Sequence, residues 1–155
     1  LVDAGLVYKV PLCKEVKLPL KVYEDPSAFK LFTLDLGLLG AMVGTEAKQV
    51  LIKNDIFSEY KGGMTEQYVL EEMKSNGEEN IFYHKPDDGT RLEIDFMIQR
   101  DGKLLPIEVK AEGNVRANSL SNLLKQKPEL HAFRYSMKPY VEQEQMTCYP
   151  LYAIQ

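Results

Sequence analysis

The chain is poor in the residues that build covalent staples and soft-metal sites. Its 155 residues include two cysteines, Cys13 and Cys148, and two histidines, His84 and His131. The cysteines lie far apart and lack metal-ligand spacing, which points to structural thiols in a reducing, cytoplasmic setting. The histidines are too few and too isolated for a zinc site, so each is expected at the surface or in packing. No run approaches the roughly 18 apolar residues of a membrane span, and no signal-peptide pattern is present, so no membrane partner is expected. No G-x-x-x-x-G-K-[ST] loop occurs, so the chain does not itself carry an ATP site of that kind. There is no internal repeat, no low-complexity tract and no stripe of interleaved basic and aromatic residues of the sort that tracks a single strand of nucleic acid.

What is present is ordinary for a globular domain: 45% hydrophobic and 27% charged residues. The length suggests one domain, with room for a fragment of another. The first residue is Leu1 and the chain opens in mid-pattern, which reads as a piece of a longer protein. The net charge of −4 does not announce a nucleic-acid binder. The charge is uneven, however. Asp55 to Asp95 holds eleven acidic and four basic residues, and Arg100 to Lys138 holds eight basic and four acidic. The second half could meet a phosphate backbone, and mixed surface charge is the commoner explanation.

The most informative stretch is Arg91 to Ala111, RLEIDFMIQRDGKLLPIEVKA. Asp101-Gly102 between two alternating runs is the strongest short-range hairpin signal. In the first run Leu92, Ile94, Phe96 and Ile98 fall on one face, and Glu93, Asp95, Met97 and Gln99 on the other. In the second, Leu105, Ile107 and Val109 oppose Leu104, Pro106, Glu108 and Lys110. A two-residue turn sets Arg100 opposite Lys103, and so Asp95 opposite Glu108 and Glu93 opposite Lys110. Opposed side chains have Cβ atoms about 4.5–5.5 Å apart. Two carboxylates at that distance repel unless one is protonated or a cation lies between them. A hard divalent ion such as Mg²⁺ or Mn²⁺ suits oxygen ligands of this kind. The bland alternative is a solvated charged face. Apolar flanks resembling buried central strands count against it, because a buried carboxylate is costly without partners.

The remaining chain reads as alternating short elements. Residues 1–24, with Pro11 and Pro19, suggest short strands or edge ribbons. Asp25-Pro26-Ser27 is expected as a turn, Phe29 to Leu34 as a strand, and Asp35 as the cap of a short apolar helix in which Gly40 and Gly44 are weak points. Lys61-Gly62-Gly63 is expected to break the chain after Asn54 to Tyr60. A helix capped by Thr65 then runs to Ser75, where Asn76-Gly77 closes it. Within it Glu66 shares a face with Val69, Leu70 and Met73. Glu66 is either a first-turn acid favoured by the helix dipole or a third carboxylate aimed at Asp95 and Glu108. Further on, Ile81 to His84 is a strand, Pro86 to Gly89 a turn, and Val115 to Lys127 a helix with Leu120, Leu123 and Leu124 on one side. Ala132 to Met137 and Tyr149 to Ile154 are the last strands.

Asp95, followed after a hairpin by Glu108-Val109-Lys110, resembles the PD-(D/E)XK nuclease-like motif, with the departure that no proline precedes Asp95. A wider set of pieces resembles a narrower family, the nuclease-like C-terminal domain of prokaryotic AAA+ type P-loop ATPases. These pieces are Lys30-Leu31-Phe32 through Asp35 to Leu39, Gly62 through Glu66 and Val69, Phe82-Tyr83, Glu93 to Phe96, and Ile107 to Lys110. They extend over roughly residues 1–140. The resemblance implies an α/β (α+β) domain with a central mixed β-sheet flanked by helices, restriction-endonuclease-like. It also implies that residues 1–24 are the end of a preceding winged-helix-like segment and connecting ribbon, with residues 25–155 the nuclease-like domain. The N-terminal ATPase module of the same protein would be the partner and the only source of an ATP site.

For chemistry, the resemblance implies Asp95, Glu108 and Lys110 as catalytic residues and Glu66, Asp95 and Glu108 as ligands of one or two Mg²⁺ (or Mn²⁺) ions, with the Val109 carbonyl as a further ligand. The metal would activate water, and Lys110 would orient it or offset developing charge, in phosphodiester hydrolysis of DNA. Asp95→Asn or Lys110→Ala would then abolish cleavage and spare the fold. A second expectation is a non-catalytic module that recognises DNA or a protein, or regulates the ATPase. A third is an ion-pair network in which Glu93 pairs with Lys110 and Glu108 with another base.

Overall fold

The computed structural model describes residues 1–43, 58–86, 92–111 and 118–154. Eight strands form one sheet: β1 (Val7–Cys13), β2 (Glu24–Thr33), β3 (Phe82–His84), β4 (Ile94–Arg100), β5 (Lys103–Lys110), β6 (Ala132–Ser136), β7 (Val141–Gln143) and β8 (Met146–Pro150). Their order across the sheet is β2-β1-β3-β4-β5-β6-β8-β7. The pairings make β1, β3, β5, β6 and β8 run in one direction and β2, β4 and β7 in the other. Three helices are described: α1 (Leu36–Val43), α2 (Ser58–Ser75) and α3 (Asn118–Gln126). The architecture is thus a mixed sheet with helices, as expected. β1 comes from the stretch read as a connecting ribbon and lies within the sheet, between β2 and β3.

The sheet is buried on both faces. On one, Val69, Leu70 and Met73 of α2 pack with Val10, Phe32, Phe96, Ile98, Ile107 and Val109. On the other, Leu120, Leu123 and Leu124 of α3 pack with Cys13, Phe82, Ile94, Met97 and Ala132. Each large side chain removed from water in this way contributes about 1.5–3 kcal/mol before entropy is set against it. The near-continuous apolar run of β4 follows from this double burial. Both cysteines are free and buried. His84 is buried with Nδ1 2.8 Å from the Cys13 carbonyl, and His131 meets the Thr147 hydroxyl. Among the described residues no helix is long and apolar enough to cross a membrane.

Several local expectations are met by identifiable bonds. The Asp35 carboxylate accepts the Leu38 N–H at 2.8 Å, capping α1. Gly77 closes α2 at φ +88°, with Gly77 and Glu78 N–H groups donating to Lys74 and Met73 carbonyls. The central hairpin pairs Arg100 with Lys103 and runs in that register to Phe96–Ile107. Asp101 and Gly102 both take positive φ, 50° and 71°, as a two-residue turn of this type requires. Gly102→Ala is therefore expected to cost about 1 kcal/mol, read as a lower urea midpoint at unchanged slope. An unchanged midpoint would mean that the turn does not fix the hairpin.

Other expectations are corrected. Asp25-Pro26-Ser27 is not a turn between elements but a bulge inside β2. Pairing jumps from Pro11–Phe29 to Leu12–Asp25, and the Asp25 carboxylate takes up the Ser27 N–H and hydroxyl. Lys61-Gly62-Gly63 does not break the chain, since α2 starts at Ser58 and runs through both glycines. Thr65 does not cap it, because its hydroxyl donates back to the Lys61 carbonyl from within the helix. The final strand is β8, ending at Pro150, and Leu151–Ala153 is a 3-10 turn. It forms a hairpin with β7, a strand the sequence does not signal. Gly44, the Asn54 to Tyr60 lead-in as far as residue 57, the turn at residues 87–89 and the first turn expected at residues 115–117 lie outside the described residues.

Candidate functional site

The carboxyl ends of β1, β3 and β5 and the start of β4 meet at one edge of the sheet, the edge at which open α/β sheets usually hold ligands. The local geometry there is set by a bulge. Phe82 pairs with Met97 and His84 with Ile94, so one extra residue is accommodated in β4. Ile94 packs on the α3 side whereas Phe96 packs on the α2 side, although strict alternation would put them together. The assignment of Ile94, Phe96 and Ile98 to one face is corrected accordingly. A bulge re-aims the side chain at its own position, and that residue is Asp95.

Asp95 extends the hairpin with its side chain. Its Oδ2 accepts the Val109 N–H at 2.7 Å, just beyond the last paired residues, Phe96 and Ile107. Burial, and then the negative charge of Glu66, push the Asp95 carboxyl up to about 7, while the Val109 N–H, Lys110 and Lys30 pull the other way. Titration near neutrality in a place of this kind is a mark of functional carboxylates as well as of ion-pair networks.

Glu66 and Glu93 are drawn to Lys30, a residue outside the expected site. Lys30 Nζ lies 2.5 Å from Glu93 Oε1 and 3.5 Å from Glu66 Oε2, and 5.3 Å from the centre of the Tyr83 ring. Burial opposes its charge, but Glu66 and then Glu93 raise the ammonium above the usual lysine range. The signal was available: Lys30 shares a strand face with Phe32, which is buried, and a lysine on a core face needs an anionic partner.

Glu108 faces elsewhere. It alternates with Ile107 and Val109, which belong to the α2 side, so it is turned toward the α3 side. It is 4% exposed. Its Oε2 accepts from Arg134 Nε at 3.2 Å and Nη2 at 3.0 Å, and its Oε1 pairs with Lys110 Nζ at 3.0 Å. Arg134 is the neighbour of Glu108 in the parallel β5–β6 ladder. The fork is a bidentate charge-assisted contact. Glu93 thus pairs with Lys30 rather than with Lys110, and the other base expected for Glu108 is Arg134.

The structure therefore brings Glu66 and Asp95 together on one side with Lys30 and Glu93, and Glu108 with Lys110 and Arg134 on the other. Among the described residues no three or more His, Cys, Asp or Glu side chains stand close enough to hold a metal ion together. With both Glu108 oxygens engaged by cations, Glu66, Asp95 and Glu108 do not fit a three-carboxylate centre in this arrangement. A cavity of about 310 Å³ opens on the α3 side of the same edge, with Lys14, Lys17, His84, Glu93, Asn122 and Lys127 in its wall.

Fold and site together define an α/β domain with a mixed sheet and a network of paired charges at the carboxyl edge of its strands. The chain belongs to the family described as a domain of unknown function (DUF4143), whose model matches residues 61–154. Compared with curated proteins and with solved structures, the chain matches none. The matched span contains Glu66, Glu93, Asp95, Glu108, Lys110 and Arg134, while Lys30 lies before it.

Proposed function

We propose that the chain is a nuclease-like module that keeps the residue frame of the PD-(D/E)XK pattern and acts by binding rather than cutting. In this reading it recognises DNA or protein, or regulates an AAA+ type ATPase module of the same protein, in a cytoplasmic setting. The observation that carries the reading is the state of Glu108: both oxygens of the central carboxylate are taken by the module's own cations, Arg134 and Lys110. The resemblance of its ordered motifs to the ATPase-linked domain supports the partner.

Calorimetry with Mg²⁺ and Mn²⁺ is the test. No saturable binding to the wild-type chain is expected at millimolar ion, and no difference from the Asp95→Asn/Glu108→Gln double variant. A second reading, Mg²⁺-dependent DNA hydrolysis through Asp95, Glu108 and Lys110, is favoured by one observation, the Asp95 carboxyl held near neutrality beside Glu66. Saturable binding that the double variant loses, accompanied by DNA cleavage, would replace the first reading with the second.

A further inference from the structure

The acidic group on the α2 side is assembled from separate pieces of chain. Glu66 comes from α2, Glu93 from the residue before β4, and Asp95 from the β4 bulge. Gathered in a partly buried place, three carboxylates repel one another, and the fold has to supply a counter-charge. Among the described residues, the ammonium within contact distance of two of them is Lys30, carried in from β2 with its stem under cover and its head against Glu66 and Glu93. Its side chain is 25% exposed, and those of Glu66 and Glu93 are 28% and 35% exposed. Lys110 is engaged by Glu108 at 3.0 Å.

A lysine ammonium is a compact, strongly hydrated point charge. A hard divalent ion asks for little more from a protein than one or two carboxylates, with water completing its shell. Ammonium and ion therefore compete for the same two oxygens. We infer that Lys30 is the resident cation of this cluster, seated between Glu66 and Glu93 in the position a divalent ion would take, and that it keeps such ions out. The inference rests on the non-catalytic reading above and gives a physical reason for it. The lysine blocks the acids on one side of the sheet, as Arg134 and Lys110 engage Glu108 on the other.

The variant that tests it is Lys30→Met, which keeps the length of the stem against Tyr83 and removes the charge. Its thermal midpoint should fall, and millimolar Mn²⁺ should restore it where KCl of equal ionic strength does not. Calorimetry should show saturable Mn²⁺ binding at millimolar ion, which the wild type lacks. The gain should vanish in Lys30→Met/Glu93→Gln and be missing from Lys30→Arg, which keeps a cation in place. Lys30→Gln, whose amide still donates to one carboxylate, serves as the milder variant. If neither neutral variant binds Mn²⁺ more tightly than the wild type, or if neither folds even in Mn²⁺, the inference falls. Failure of the underlying reading looks different: the wild-type chain itself would bind Mn²⁺ saturably and lose it with Asp95→Asn/Glu108→Gln.

Discussion

At pH 8 the Asp95→Asn variant is expected to be more stable than the wild-type chain, by about 2–4 kcal/mol. The Asp95 carboxyl is pushed up to about 7 from an ordinary value of 3.8, by burial and then by Glu66. An acid whose folded-state value lies above its unfolded one holds its proton more tightly when folded. The folded chain is therefore favoured below about pH 4, and that advantage is lost as pH rises through about 7. Above pH 7 the buried carboxylate is a standing cost. Asparagine removes the cost and can still accept the Val109 N–H through its amide oxygen. Urea unfolding of both chains at acid and alkaline pH is the check: near-equal stability at about pH 4 and a gap that opens toward pH 8. A variant no more stable at pH 8 than the wild type would show that the charge of Asp95 is compensated and that the account of the cluster is wrong.

Arg134→Ala works in the opposite direction. It leaves Glu108, 4% exposed, with Lys110 as its remaining cation. Removing one partner of a buried pair costs about 3–5 kcal/mol, and because the Arg134 side chain is 23% exposed the lower end, about 3 kcal/mol, is expected. The double variant Glu108→Leu/Arg134→Met should recover most of the loss, since replacing both members of a buried pair by apolar groups is often close to neutral. A loss below about 1 kcal/mol in Arg134→Ala would mean that the fork does not hold the Glu108 charge. The two substitutions thus separate the two sides of the sheet: one removes a buried carboxylate charge, and the other strips a buried carboxylate of one of its two cations.

The parts of this arrangement that could be read from the sequence are those with local causes. The β4–β5 register follows from Asp101-Gly102, whose positive φ angles belong to the turn itself. The ends of α1 and α2 follow from Asp35 and Gly77, each satisfying backbone groups a few residues away. The bulge at Asp95 was hidden because it is defined by pairing with β3, a strand whose partner the hairpin alone cannot specify. With the bulge went the facing of Ile94 and the expected meeting of Asp95 and Glu108. Arg134 was hidden for a similar reason: a parallel neighbour is set by the whole β5–α3–β6 crossover, not by any turn. Lys30 is 36 residues from Glu66 and further from Glu93, yet its placement on the same face of β2 as the buried Phe32 is a signal in the alternation itself. The glycine pair at Gly62-Gly63 was misread because the apolar face of α2 against the sheet outweighs the propensity of two glycines.

The hairpin turn has a practical meaning apart from stability. Asp101 and Gly102 are exposed and lie at the end of the strands away from the charged edge. Five residues of β4 separate Asp101 from Asp95, six steps that span about 20 Å at the rise of a strand. The ends of an inserted loop are already joined there, and lengthening a flexible loop adds only about 0.6 kcal/mol for each doubling. The turn is thus a natural attachment point: a fluorophore, an affinity peptide or a tether grafted into it would report on the charged edge from the far end of a rigid lever without touching it.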